Sequence, residues 1–326
     1  MLLSGFLSMF IDSITVLLFL ASVTIELARL LKFNPVPLVI AEIFAANVGG
    51  SATMAGDPPN IIIGTAFGYT FTDFLTNTGP IAWICMIVVL VFFFMVFHKT
   101  LTPQRETTNI ILNNYPQPRE AITDTKLFIL NTGIFLLIVI LLITHAETGI
   151  SVATIGVLAA VLTIIVARNR ASHILKRVDW RTLAFFIGLF IVVGGLEVTN
   201  TLKLFADFIE NISGGNLLLV MTIILWVSAF ASAIIDNIPF AATMIPVISG
   251  IASNATDLRT LSWALALGTD IGGNGTPIGA SANVVGTAIA EREGYPISWG
   301  QFMKYALPAM LIVIAICWLL LYLWHF

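Results

Sequence analysis

The chain has 326 residues, 58% hydrophobic and 10% charged, with a mean hydropathy of +0.98. Soluble domains carry roughly 25% charged residues, so this composition excludes a soluble enzyme or a nucleic-acid-binding protein and calls for an all-α polytopic membrane protein. The formal net charge of −3 identifies no partner; the placement of the charges along the chain says more.

The first stretch, "MLLSGFLSMFIDSITVLLFLASV", has no basic leader and is interrupted by Asp12, so it reads as a membrane segment and not as a signal peptide. "FIDSIT" (10–15) marks a hairpin tip. A helix entering at Pro37 meets "NVGGSATMAGDPPN" (47–60). Its glycines weaken the helix and Pro58 and Pro59 remove two amide donors, so the helix is expected to stop near Val48 and restart near Asn60. Runs long enough to cross about 30 Å of hydrocarbon follow at 80–97, 127–144, 150–167, 183–199, 216–235 and 305–324. Within 214–254, "IIDNIP" carries a charge, a turn-forming Asn and a proline, which suits the tip of a hairpin that enters and leaves by one face. "DIGGNGTPIGASAN" (270–283) interrupts the next helix. Cys85 and Cys317 fall inside apolar runs and read as two isolated thiols.

These interruptions form a repeat. Gly49, Gly50, Thr53, Gly56 and Asn60 align without a gap on Gly272, Gly273, Thr276, Gly279 and Asn283. Upstream, Ser8, Ile11, Asp12 and Ile14 align on Ser232, Ile235, Asp236 and Ile238, and downstream Pro80 meets Pro308. Basic residues gather in four loops, at Arg29 and Lys32, at Lys99 to Lys126, at Arg168 to Arg181, and at Arg292 and Lys304. Placing these loops in the cytoplasm makes the first Gly-rich segment run outward and the second inward. Inverted repeats with re-entrant hairpins and broken helices follow, an arrangement typical of secondary transporters. The expected organisation is residues 1–98 as a first copy, 99–126 as a cytoplasmic linker and 127–326 as the second copy. The first copy has only eleven residues ahead of Asp12, so the repeat predicts about three further helices upstream and a chain truncated from a longer protein.

Non-helical backbone at membrane depth must line a wet cavity or be buried in protein. Broken helices free carbonyls that favour a cation and N–H groups that favour an anion. Acids inside a membrane are functional candidates by default, so Asp12, Asp236 and Asp57 are expected to couple ions. For Asp270, which aligns with Asn47, helix capping is the favoured role. Ser13, Thr15, Gly49, Gly50, Thr53, Asn60, Asn237, Gly272, Gly273, Thr276 and Asn283 are the expected lining, with sodium, where bound, near Asn60, Asn237 and Asn283. Glu42 and Glu197 are candidate buried proton carriers, and Glu26 is expected to pair with Arg29 at a membrane edge. No phosphate loop is present, because "GGNGTPIG" is not followed by Lys-Ser or Lys-Thr. An intramembrane aspartyl protease would need one acid pair, not interruptions in inverted copies.

The "GDPPN" segment, the paired hairpin tips and "DWRTLAFFIGLFIVVGGLE" (179–197) resemble the ArsB/NhaD group of the ion transporter superfamily, which includes arsenite permeases, sodium/proton antiporters and the P protein. The resemblance implies two inverted five-helix repeats and a homodimer with an elevator-like transport domain in the cytoplasmic (inner) membrane. It implies no cofactor beyond a coupling H⁺ or Na⁺, and a small-ion or oxyacid substrate. Acids at both tips, where sodium–dicarboxylate members carry Ser-Asn-Thr, should repel a carboxylate in a poorly screened site. Sodium/proton antiport or arsenite efflux is therefore ranked above a sodium-coupled carboxylate permease, with a channel or a non-functional fragment as further alternatives.

Overall fold

A computed structural model of the chain describes residues 1–98, 124–168, 171–176, 178 and 180–326. Most of the predicted linker therefore lies outside the described residues. Among those described, the regular structure is helical, with no strand. The helices are α1 (Leu2–Ser8), α2 (Ser13–Leu31), α3 (Val36–Gly50), α4 (Pro58–Phe67), α5 (Phe71–Phe97), α6 (Thr125–Thr148), α7 (Val152–Ala167) and α8 (Ala171–Lys176). They continue as α9 (Trp180–Val198), α10 (Thr201–Ser213), α11 (Leu217–Ile234), α12 (Asn237–Ile251), α13 (Ala255–Gly272), α14 (Ser281–Arg292) and α15 (Trp299–His325). One compact unit contains α1–α5 and α10–α15; a second contains α6–α8.

The predicted interruptions are present. α1 and α2 form one hairpin around Asp12, and α11 and α12 form another around Asp236. The first broken helix stops at Gly50 and restarts at Pro58; the second stops at Gly272, passes through a 3₁₀ turn (Gly273–Gly275) and restarts at Ser281. α5 begins well before the predicted residue 80 because Thr70 and Asp73 form a reciprocal cap: the Asp73 N–H donates to Thr70 Oγ1 (3.0 Å) and the Thr70 N–H to Asp73 Oδ2 (2.9 Å). Ser298 caps α15 by accepting from the Gln301 N–H (3.3 Å), and Pro80 and Pro308 sit inside these two matching helices.

Contacts at the helix ends fix the directions of the two copies. At one end, Arg29 Nη2 donates to Glu293 Oε2 (2.9 Å) and Phe97 packs edge-on against Tyr305 (4.7 Å). At the other, Tyr69 lies 4.8 Å from Trp263, Arg259 pairs with Asp73, and Trp318 Nε1 donates to Thr222 Oγ1 (2.7 Å). The end of α4 thus meets the start of α13, and the end of α14 meets the end of α2 just before α3. The two broken helices are antiparallel. Burial pushes the Tyr69 phenol above its ordinary range, which keeps it neutral beside Arg259. Arg29 also reaches Glu26 (3.5 Å), the expected edge pair.

Two features depart from the expectations. Cys85 and Cys317 are not isolated: their sulfurs lie 3.5 Å apart, buried between α5 and α15. Residues 201–213, left unassigned by the search for apolar runs, form a helix that buries Leu202, Ala206 and Ile209 and exposes Leu204, Phe208 and Ile212 beside Lys203, Asp207 and Glu210. Two apolar stripes separated by charges suit a helix lying along a membrane surface. A search for long apolar runs cannot find it.

Candidate functional site

Each chain break is stitched by the same hydrogen bonds. Asn60 opens the second half of its helix and turns its Nδ2 back onto the carbonyls of Gly50 (3.2 Å) and Thr53 (3.1 Å). Asn283 does the same to Gly273 (2.7 Å) and Thr276 (2.7 Å). Thr53 Oγ1 donates to the Met9 carbonyl at the first hairpin tip, and Thr276 Oγ1 donates to the Ala233 carbonyl at the second. Gly56 and Gly279 make these contacts sterically feasible. A Cβ on Gly56 would lie 2.4 Å from the Gly50 oxygen and 2.6 Å from that of Ser8; on Gly279 it would lie 2.5 Å from the Gly273 oxygen and 2.8 Å from that of Ser232. The hairpins pass closely at Gly49, where a Cβ would meet the Gly5 backbone (2.1 Å), and at Gly272, where it would meet Ala229 (2.3 Å).

This geometry revises one expectation. The carbonyls of Gly50, Thr53, Gly273 and Thr276 are not free helix-end acceptors: each accepts a hydrogen bond from the Asn60 or Asn283 carboxamide. Asn60, Asn283, Thr53 and Thr276 hold the breaks open, and Gly49, Gly56, Gly272 and Gly279 let backbone approach backbone. Apolar side chains at these positions would leave buried carbonyls without donors, at about 1–3 kcal/mol each.

Between the stitched breaks the two copies touch through amides and acids. Asn47 Nδ2 donates to Asn274 Oδ1 (2.9 Å) and to Asn283 Oδ1 (2.9 Å), and all three residues are fully buried. The orientation of Asn283 is set by the two carbonyls it serves, and this in turn sets Asn47. Asn237 Nδ2, from the second hairpin tip, donates to Asp57 Oδ2 at the first break (3.2 Å). Asp236 Oδ1 accepts from the Ile238 N–H (3.1 Å) and its Oδ2 accepts from Ser281 Oγ (3.0 Å) at the second break. Asp12, Asp236 and Asp270 all lie close enough to Asp57 to act on its charge.

The expected coupling acids, Asp12, Asp57 and Asp236, are therefore brought together, and each precedes the first residue of a helix. Of the three, Asp236 caps its helix through its side chain; Asp57 instead holds the opposite hairpin tip. Ser13 and Asn237 are buried at the tips, whereas Thr15 is exposed. Glu42 is held by Thr24 (2.6 Å) away from the cluster, and Glu197 is exposed, so it is not the buried acid expected there. Asp270 does not cap a helix start: it lies in the last turn of α13, fully buried. The sequence reading passed over Asn47, Asn274 and Ser281. Asn47 and Asn274 lie inside the aligned motifs, and both are amides that the repeat does not duplicate.

Antiparallel broken helices braced by two re-entrant hairpins, with acids gathered at their crossing, define a multi-pass membrane transporter and not an enzyme. Residues 1–268 match the family model described as citrate transporter (CitMHS), and the chain belongs to that family. It is 39% identical over 322 residues to a 46 kDa membrane protein of Mycobacterium leprae, covering 97% of this chain and 74% of that one. It is 37% identical to an uncharacterized transporter of Mycobacterium tuberculosis (99% and 75% covered) and 28% identical to the P protein of Sus scrofa (98% and 47%). A multi-pass transporter of this family is consistent with a place in the cytoplasmic membrane.

Proposed function

We propose that the protein is a secondary active transporter in which the acid cluster at the crossing couples substrate movement to H⁺ or Na⁺. The observation that carries this reading is charge balance. Asp12, Asp57, Asp236 and Asp270 meet at one place, and no Lys or Arg is among the buried described residues. Uncompensated carboxylates in a poorly screened interior are costly, so the cluster works only with cations that enter and leave it. Two hairpins and two helix breaks around one centre provide the surfaces that alternate exposure requires. A working homodimer of the elevator type and membership of the ArsB/NhaD group are further parts of the reading, supported by the motif resemblance and by the P protein relative.

Two substrate classes fit. A small inorganic ion or oxyacid, moved by sodium/proton antiport or arsenite-type efflux, meets no repulsion from four acids when it is a cation or neutral. A carboxylate is favoured by the family description, and it would have to travel with protons or cations that neutralise the acids first. The test is reconstitution of the full chain in proteoliposomes, with radiolabelled citrate, arsenite and ²²Na⁺ offered in turn under an imposed pH or sodium gradient. Uphill accumulation that collapses with an ionophore is expected for one of them. Flux that only runs downhill would indicate a channel, and no gradient-driven flux of any probe would remove the reading.

A further inference from the structure

The second compact unit carries a feature that the crossing does not explain. A short turn at 149–151 joins α6 to α7, so the start of α6 and the end of α7 lie side by side. Between them opens a cleft of about 370 Å³. Asp124, Lys126 and Arg168 line it at the helix ends, and Leu127, Leu130, Ile165 and Val166 line it up to one turn further along each helix. Because α6 is long and apolar enough to cross a membrane, the aliphatic wall lies on the membrane side of the charges.

The charges in the cleft are not balanced. Among the described residues, ion pairs involve Arg29 and Arg259, and neither Lys126 nor Arg168 takes part in one. Asp124 is committed to its own helix, where its Oδ1 accepts from the Leu127 N–H (3.0 Å). Two cations against one acid leave one positive charge in excess. The start of α6 adds to it, since the first N–H groups of a helix lack intrahelical partners and carry partial positive charge. Leu130 and Ile165 are 52% and 62% exposed, so the cleft offers uncovered apolar surface directly beside uncovered charge.

We propose that this cleft binds one anionic glycerophospholipid, with its phosphate between Lys126 and Arg168 and the first carbons of its acyl chains on Leu130 and Ile165. A phosphodiester carries one negative charge, which is the charge the cleft lacks. Free phosphate would satisfy the cations and leave the aliphatic wall bare. A zwitterionic lipid would bring an ammonium group and leave the excess charge in place. The distribution of basic residues assigns this end of the helices to the cytoplasmic face, where basic clefts between membrane helices take lipid headgroups. Once seated, the lipid ties the start of α6 to the end of α7 across two like charges that repel when it is absent.

The test measures binding alone, so it stands whatever molecule is transported. The purified full chain, stripped of lipid in a neutral detergent, is titrated with dioleoyl phosphatidylglycerol and followed by native mass spectrometry. Dioleoyl phosphatidylethanolamine and inorganic phosphate serve as competitors. Phosphatidylglycerol should bind in preference to both. Lys126→Gln combined with Arg168→Gln should weaken it about 30-fold, at about fivefold for each cation removed. Arg292→Gln combined with Lys304→Gln removes the same charge from exposed sites outside this unit and should leave binding unchanged. Equal losses in the two double variants would reduce the effect to diffuse charge and overturn the proposal. So would equal binding of the two lipids, or displacement of phosphatidylglycerol by an equal concentration of inorganic phosphate. Should the Lys126/Arg168 variant not fold, Asp124→Asn decides. Asparagine still caps a helix, and removing the acid should tighten phosphatidylglycerol binding several-fold; unchanged binding there would also overturn the proposal.

Discussion

The two chain breaks, 47–60 and 270–283, share a mechanical design and differ in chemistry. In both, an Asn ties two carbonyls across the gap, a Thr pins the hairpin tip, and a Gly admits the returning backbone. Among the positions that do not match are polar ones at the crossing: Asn47 against Asp270, Ser51 against Asn274, Asp57 against Ala280 and Pro58 against Ser281; Asn47, Asn274 and Asp57 bond the other copy, whereas Ser281 bonds Asp236 of its own. Holding open a gap in a buried helix is the same physical problem in both copies, so the solution is repeated. Binding an ion or substrate at an inverted pseudo-twofold needs chemistry on only one side of each contact. Asymmetry inside a symmetric frame is therefore where the proposed ion-coupling residues are to be tested first.

The largest effects should come from the stitching amides. Asn60→Leu removes donors from two buried carbonyls, for a cost of roughly 2–6 kcal/mol at about 1–3 kcal/mol per orphaned group. Asn283→Leu does the same and also strands the Asn47 Nδ2 hydrogen that Asn283 accepts. It should therefore unfold at a lower denaturant or temperature midpoint than Asn60→Leu in the same detergent. Equal losses would mean that the Asn47 bridge contributes nothing and that the two breaks are energetically alike. Next come Gly56→Ala and Gly279→Ala. Each forces a methyl onto a carbonyl oxygen at 2.4 and 2.5 Å respectively, an overpacking cost of about 1–3 kcal/mol. Here the copies should respond alike, because the contact belongs to the shared frame. A clear difference in Tm between the two variants would break the comparison.

Much of this frame was legible in the sequence because stereochemistry dictates it. Clustered glycines and prolines weaken a helix and remove amide donors, so both breaks could be placed within a few residues, and the repeat carried the hairpin tips with them. The roles inside the breaks were not legible. Thr53, Thr276 and Asn283 looked like ligands because they carry oxygen, but in the fold the Thr hydroxyls and the Asn283 Nδ2 donate to backbone carbonyls, and Asn283 Oδ1 accepts from Asn47. Asp270 looked like a helix cap because alignment with Asn47 shows position and not direction; its place in the last turn of α13 is set by where the break falls. The Cys85–Cys317 approach and the surface helix α10 depend on how helices pack and on a mixed polar pattern, which hydropathy over long windows averages away.

A smaller effect separates the asymmetric contacts from the frame. Ser281→Ala deletes the hydroxyl that donates to Asp236 Oδ2, a bond with no counterpart at Pro58. The loss should be about 1 kcal/mol for a half-buried hydrogen bond, much less than for the stitching amides. Transport should respond more than stability does, because Asp236 belongs to the acid cluster. A variant whose Tm and ion-driven flux both match the parent would show that this contact is incidental.

The smallest effect is expected at the rim. Arg259 and Asp73 pair at one end of the molecule with side chains 47% and 25% exposed, and exposed pairs contribute only about 0–1 kcal/mol. Arg259→Ala is the informative substitution, because Asp73 also caps α5 and replacing it would remove two interactions at once. The Tm difference between Arg259→Ala and the parent should shrink as ionic strength rises, since at about 0.15 M salt the screening length is only about 8 Å. Choline chloride has to supply that ionic strength. If choline leaves the Arg259→Ala difference unchanged, the contribution of Arg259 is packing on Tyr69 and not charge, and the rim then follows the same rule of shape as the breaks.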